Sequence, residues 1–182
     1  MSHRGAAPRQ PSMLLVRLAR LRVPLGFASA AICLWLAQPT PTSIAVGMLI
    51  AGAGETLRVW AAGHIEKGRE ITRSGPYRLM RHPLYVGSMV LATGFVIAAR
   101  SGIVAAIVLA YLVVTVGAAV RVEERALDQQ FRGAYSEYRE GRAAPFDRRF
   151  SLVRAMANRE YRAVLGLVGG AALLLVRWWI TG

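Results

Sequence analysis

The sequence predicts an all-α integral membrane protein with about five transmembrane helices. Of the 182 residues, 54% are hydrophobic and the mean hydropathy is +0.37, yet the formal net charge is +13. These properties coexist because the apolar residues form long blocks and the basic residues lie between the blocks. The composition excludes a disordered chain, and the single cysteine excludes a disulfide scaffold and a cysteine–histidine zinc module.

The first apolar block, Val23–Ala37, is short and follows an arginine-rich lead-in. Its exit lacks the small residue that signal-peptide cleavage requires, so we expect the block to be retained as a helix. The second block, Ser43–Gly63, is long enough to cross a bilayer, which takes about 20 apolar residues. It contains Glu55 and Arg58, three residues apart, which we interpret as a structural ion pair or as a snorkelling arginine.

Two further blocks, Leu84–Ala99 and Gly102–Val120, are separated only by Arg100 and Ser101. A separation this short predicts a tight antiparallel hairpin. The last block, Ala163–Ile180, ends in tryptophans that are typical of a membrane interface. Three glycines of this block predict close packing against another helix: Gly166, Gly169 and Gly170.

The distribution of arginine predicts the topology and the domain organisation. The N-terminal segment and the second and fourth connections are rich in arginine, whereas the first and third carry Arg100 alone. By the positive-inside rule, we expect a multi-pass protein of a bacterial inner membrane with a cytoplasmic N-terminus. The chain then divides into a basic cytoplasmic segment, a membrane core, a cytoplasmic connector and a C-terminal transmembrane helix: residues 1–22, 23–142, 143–162 and 163–182.

The second connection, His64–Pro83, contains the residues best suited to bind an anion. Ser74–Pro76 is a turn signal, and Pro83 fits the first position of the next helix. Because the residue before a proline is extended, we expect His82 to lie just outside that helix, beside its free backbone amides. These amides, together with Arg81, favour a carboxylate.

The fourth connection continues the preceding helix out of the membrane. Glu123 and Glu124 lie at the membrane boundary, where adjacent carboxylates are costly unless they are paired, solvated or bound to a cation. The net charge fits membrane topology better than nucleic-acid binding, because no basic segment is interleaved with aromatic residues. A stripe of residues at helical spacing predicts packing of the extension: Leu127, Phe131, Tyr135 and Tyr138.

Two motifs and the hairpin between them form a specific combination. Residues 75–87 read Gly-Pro-Tyr-x3-Arg-His-Pro-x-Tyr-x-Gly, and residues 123–138 read Glu-Glu-x2-Leu-x3-Phe-x3-Tyr-x2-Tyr. In this order, over about Arg58 to Tyr138, they resemble the isoprenylcysteine carboxyl methyltransferase and phospholipid N-methyltransferase family of integral membrane enzymes.

The resemblance implies an enzyme that binds S-adenosylmethionine in a cytoplasmic-side pocket capped by these two segments. It implies a lipid or lipid-anchored methyl acceptor, such as an isoprenylcysteine carboxylate or a phospholipid amine, and neither metal nor nucleic acid. Glu124 and Arg121 are the implied catalytic residues. The implied cofactor-binding residues are Arg69, Glu70, Ile71, Thr72, Tyr77, Arg81, His82, Pro83, Leu84, Tyr85 and Glu123.

Two alternative functions stay open at this stage. A membrane sterol or enone reductase on a related scaffold would use NADPH, but it would need room for a larger dinucleotide than the short connections offer. A non-catalytic membrane protein would bind anionic lipid through its basic face. For that protein, changing His82 or Glu123 to alanine would leave every measured activity unchanged.

Overall fold

Every regular element that the structure describes is a helix, which confirms the predicted all-α class. The computed structural model describes residues 26–66, 69–131, 134–142, 144 and 147–181, with the backbone alone for 134–136. The predicted basic segment 1–22 and the start of the first apolar block lie outside this part of the chain. The helices are α1 Gly26–Leu36, α2 Pro41–Ala62, α3 Pro83–Ala99, α4 Gly102–Phe131, α5 Ala134–Arg139, α6 Leu152–Ala157 and α7 Tyr161–Thr181, with a 3₁₀ turn at Gly75–Arg78.

Each of the five predicted apolar blocks corresponds to one helix. Helices α2, α4 and α7 are long and apolar enough to cross a membrane, whereas α1 and the 17-residue α3 are apolar but shorter. Within α4 and α7, Val104 and Leu174 are the buried residues, and most other side chains are exposed. Apolar surface on nearly all sides is typical of a helix that contacts lipid.

Helices α2 and α3 form the tightest contact in the bundle, because glycines of one face glycines of the other. A Cβ atom added at Gly47 would lie 2.4 Å from the carbonyl oxygen of Gly94. One added at Gly54 would lie 2.7 Å from the carbonyl oxygen of Gly87. The two backbones therefore touch directly, as small residues allow in membrane helices.

The glycines of α7 do not pack as predicted. Among the described residues, a Cβ atom at Gly166 or Gly169 would meet nothing within 4 Å, and Gly170 alone of the three faces a side chain, the ring of Phe95. The prediction is therefore wrong for two of the three glycines. The physical reason is that α7 contacts the bundle along the face of Gly170 and Leu174, which lie one turn apart.

The short connections meet at one end of the bundle, which we call the short-loop end (residues 37–40 and 100–101). The backbone amide of Gln38 donates to the carbonyl oxygen of Ala99 at 2.8 Å, and Arg177 of α7 donates to that of Ala37 at 3.2 Å. Arg100 is left-handed, with φ of 50°, and reverses the chain. The predicted separation of the third and fourth apolar blocks at Arg100 and Ser101 is thereby confirmed.

The long connections meet at the opposite end, which we call the polar end (residues 63–82 and 121–160). The predicted connector is part of it. Arg148 lies 2.8 Å from Glu70 and 3.4 Å from Glu66, and Arg154 also lies 3.4 Å from Glu66. Arg154 donates to the carbonyl oxygen of Gly63 at 2.6 Å. Several ion pairs from one segment hold it in place, although each pair, being partly exposed, contributes little alone.

Candidate functional site

His82 lies directly before α3, as the sequence predicts. It is the N-cap residue, with φ of −130°, and Pro83 takes the first helical position, where a missing amide hydrogen costs nothing. The imidazole does not cap its own helix. Instead, its Nε2 atom lies 3.2 Å from Oε1 of Glu124. His82, at the start of α3, therefore contacts the part of α4 that we predict to extend beyond the membrane.

Glu124 joins the two segments that the sequence singled out. It is 42 residues from His82 in the chain, and the same carboxylate oxygen lies 3.7 Å from Nη1 of Arg81. The Glu124 side chain is 31% exposed, so solvent weakens both interactions. The structure thus brings the second and fourth connections together at the polar end.

Tyr77 lies within this cluster and is 8% exposed. Its carbonyl oxygen accepts a hydrogen bond from the Tyr138 hydroxyl at 2.8 Å. Burial raises the pKa of Tyr77 well above its ordinary value, and the negative charge of Glu123 raises that pKa further. Burial also raises the pKa of Tyr138, which the positive charge of Arg81 opposes.

An open cleft of about 450 Å³ lies beside Tyr77. This volume lies within the range of small-molecule sites. Three of the lining residues are arginines, and no carboxylate is among the described residues of the lining, so the cleft suits an anionic group. The lining comprises Arg73, Tyr77, Arg78, Leu79, Met80, Arg81, Tyr138 and Gly141.

The stretch Arg69–Thr72 lies between this cleft region and the connector. Glu70 pairs with Arg148, and Thr72 is buried. The hydroxyls of Thr72 and Ser74 are buried without a hydrogen-bond partner among the residues that the structure describes. A buried, unpartnered hydroxyl costs free energy, which a bound polar ligand would recover.

The remaining predicted site residues fall into two groups. Tyr85 lies one turn into α3, and its ring centroid is 5.8 Å from that of His82. In the same turn Pro83 is buried and Leu84 is half-buried. Arg121, by contrast, has an exposed side chain on α4, three residues before Glu124. The structure therefore groups the α3 residues, whereas for Arg121 it gives an exposed position one turn before Glu124.

Sequence reasoning missed a buried polar group beneath the cluster. Arg58 lies 3.4 Å from Glu55, which confirms that pair. The same guanidinium also donates to both carboxylate oxygens of Glu160, at 2.9 and 3.1 Å, and to the Ser88 hydroxyl. Neither Glu160 nor Ser88 belongs to a motif or a periodic pattern, so only the folded arrangement reveals them.

Comparison with known proteins identifies the family. The sequence model described as phospholipid methyltransferase matches residues 42–134, just over half of the chain. The chain belongs to the phospholipid methyltransferase family. The region matched to this family contains His82 and Glu124 and nearly all of α2, and it ends at the first residue of α5.

Two curated relatives are each 32% identical to this chain. One is the cobalt-zinc-cadmium resistance protein CzcN of Cupriavidus metallidurans, over 117 residues, 63% of this chain and 53% of the relative. The other is the nickel-cobalt-cadmium resistance protein NccN of Alcaligenes xylosoxydans xylosoxydans, over 114 residues, 62% of this chain and 53% of the relative. The chain spans about half the length of these relatives. No solved structure matches it.

Proposed function

We propose that the protein is a membrane methyltransferase that transfers a methyl group from S-adenosylmethionine to a lipid or lipid-anchored acceptor at the cytoplasmic membrane face. The observation that carries this proposal is the contact between His82 and Glu124. Both residues lie within the family match, and their contact brings together the two segments that would cap a cofactor.

The residues at the polar end fit the polar groups of this cofactor. S-adenosylmethionine supplies an activated methyl group on a sulfonium sulfur. The start of α3, with Arg81 and His82, suits its carboxylate, and the Glu123 carboxylate suits its amino group. The unpartnered hydroxyls of Thr72 and Ser74 add two hydrogen-bonding groups in the neighbouring stretch.

The protein's own task in this reaction is orientation and the exclusion of water. Holding two reactants in line lowers the barrier of a reaction by about 7–11 kcal/mol. A carboxylate or thiolate acceptor needs no base. An amine acceptor must first lose a proton, and we assign that proton to the Glu124 carboxylate, which the His82 contact holds in place.

A lipid-like acceptor agrees with the position of the cluster. The residues that follow His82 belong to the apolar α3, and those that precede Glu124 belong to the apolar span α4. A group that reaches the cluster from between these helices must be soluble in the bilayer. We therefore place membrane lipids, rather than water-soluble metabolites, among the acceptors.

A methyl-transfer assay in membranes tests the proposal. Labelled S-adenosylmethionine is incubated with membranes that contain the protein and a panel of acceptors: prenylated cysteine, aminophospholipids and quinone-like lipids. We expect label in one lipid class for the wild type. We expect at least about tenfold slower transfer for His82→Ala and Glu124→Gln, because each loses a charge-assisted contact. Asp128→Asn, a charge change at an exposed position of α4, is the matched control.

Three results would contradict the proposal. No transfer to any acceptor, together with no calorimetric binding of S-adenosylmethionine, would exclude a methyltransferase. Binding of NADPH in place of S-adenosylmethionine would favour the reductase. Transfer that is unaffected by either variant would show that the His82–Glu124 contact has no part in the reaction.

A further inference from the structure

The polar group around Arg58 connects three distant parts of the chain. Arg58 lies in the last two turns of α2, and its Nη2 nitrogen contacts both carboxylate oxygens of Glu160, 102 residues further on and directly before α7. The other terminal nitrogen of the guanidinium donates to the Ser88 hydroxyl and lies 3.5 Å from the carbonyl oxygen of Leu84. One arginine thus links α2, α3 and the α6–α7 junction.

This pair is buried, and burial makes it poor evidence for stability. Glu160 is 8% exposed, and the Arg58 side chain is 20% exposed. Removing two charges from water costs about as much free energy as their attraction returns, so apolar side chains would serve stability equally well. A buried pair is better explained when it fixes the position of something else, and here that is the start of α3.

The contacts on α3 involve Leu84, which belongs to the proposed site, and Ser88, which follows it by one turn. The Leu84 carbonyl accepts a hydrogen bond from the Ser88 hydroxyl at 2.8 Å, so the two groups that Arg58 contacts are joined to each other within one turn of α3. In the same turn, the backbone amide of Tyr85 donates to the carbonyl oxygen of His82 at 3.1 Å. Fixing Leu84 and Ser88 therefore also fixes the rotation of α3 about its axis. That rotation decides where His82 and Tyr85 point.

We propose that Glu160 and Arg58 are positioning residues of the methyltransferase site. Glu160 holds the Arg58 guanidinium against the first two turns of α3, and this contact sets the orientation of His82 and Tyr85 toward the cofactor. The inference rests on the proposed function and adds to it. Glu160 lies beyond the family match at residues 42–134, so the segment before α7 contributes to a site that the matched region alone would leave unsupported.

Glu160 can be mutated without leaving Arg58 without a carboxylate, because Glu55 lies beside the same guanidinium. Glu55 lies 3.4 Å from Nε of Arg58, whereas Glu160 contacts the Nη2 nitrogen of the same guanidinium. In the variant Glu160→Gln, Arg58 keeps one carboxylate partner and can still donate to the new amide oxygen. The variant therefore removes the Arg58–Glu160 ion pair without leaving Arg58 uncompensated.

Calorimetric titration of the purified full-length protein with S-adenosylmethionine tests this inference. We expect the cofactor Kd to rise about tenfold in Glu160→Gln, as for the loss of one charge-assisted hydrogen bond. We expect a rise of about threefold in Ser88→Ala, which removes the acceptor on α3 and keeps the ion pair. Glu160→Asp should recover part of the affinity. Asp128→Asn is the exposed control, and its Kd should equal that of the wild type.

The binding stoichiometry separates positioning from a merely structural role. A residue that only stabilises the fold would lower the melting temperature and the number of sites per chain, with the Kd of the folded fraction unchanged. Positioning changes the Kd itself, while the KM for the lipid acceptor stays within about twofold of the wild-type value. If Glu160→Gln does not fold, Ser88→Ala decides the question.

Two outcomes would overturn the inference, and they differ in what else they exclude. A wild-type Kd in both Glu160→Gln and Ser88→Ala would overturn the positioning role and leave the proposed function intact. A wild-type protein that binds no S-adenosylmethionine would overturn the proposed function, and the inference with it.

Discussion

Tyr77 gives the clearest pH-dependent prediction at the scale of single residues. Its pKa is raised by burial and by Glu123, so the folded protein keeps the phenol protonated at a pH where the unfolded chain has lost the proton. The resulting stability is complete below about pH 10 and is lost as the pH rises further. We measure the melting temperature in detergent between about pH 8 and pH 11.5. We expect it to fall less with rising pH in Tyr77→Phe than in the wild type.

The matched control is Tyr161→Phe, because Tyr161 is 41% exposed. The melting temperature of Tyr161→Phe should fall with rising pH as much as that of the wild type. An equal loss in Tyr77→Phe and in the wild type would show that Tyr77 does not hold its proton in the folded state.

Positions that depend on adjacent residues could be predicted from the sequence. Positions that depend on contacts with residues far away in the chain could not. The position of His82 follows from Pro83 alone, since a proline at the first helical position fixes its neighbour outside the helix. The burial of Glu160 depends on Arg58, about a hundred residues earlier in the chain. No pattern in the sequence encodes that meeting. The roles of the predicted site residues stay predictions until cofactor binding is measured.

At the scale of elements, the α2–α3 contact predicts a sharp difference between two glycines of one helix. In Gly47→Ala, the new Cβ would lie 2.4 Å from the Gly94 carbonyl oxygen, so the two backbones must separate. Overpacking of this kind costs about 1–3 kcal/mol. We expect the melting temperature in detergent to fall by several degrees.

Gly52→Ala is the control on the same helix, because a Cβ there would meet no atom of the described part of the chain within 4 Å. Alanine is the better helix former by about 1 kcal/mol, so this variant should be as stable as the wild type or slightly more stable. Equal destabilisation by both substitutions would indicate a general effect of mutating α2 rather than contact with α3.

The helices themselves could be predicted because each apolar block is a local property of the chain. The glycines of α7 show where this reasoning ends. Gly166 and Gly170 lie one turn apart, yet among the described residues Gly170 alone of the two faces another helix. Small residues permit close packing but do not specify which face of a helix receives a neighbour.

At the scale of the whole molecule, the distribution of arginine predicts that the polar end lies in the cytoplasm. The test uses single cysteines in a Cys33→Ala background. Gln38→Cys lies at the short-loop end and Arg142→Cys at the polar end, and both positions are exposed. We expect a membrane-impermeant maleimide to label Gln38→Cys in intact cells and Arg142→Cys only after lysis.

The Cys33→Ala background without an added cysteine should remain unlabelled in both conditions. The reverse pattern would place the His82–Glu124 cluster on the external face, where S-adenosylmethionine is not supplied by the cell. Labelling of both cysteines in intact cells would show that the two ends are not separated by the membrane.

The glycine contacts between α2 and α3 also determine how a lipid can approach. Where the carbonyl oxygen of Gly87 occupies the space beside Gly54, no gap remains that an acyl chain could enter. This close contact between α2 and α3 extends to Gly87, two residues after Tyr85, so the two helices leave no opening between them beside the cluster. Under the proposed function, the hydrocarbon tails of the acceptor would enter from the opposite flank, along α4, and mutations that widen or narrow that flank would change which tails fit.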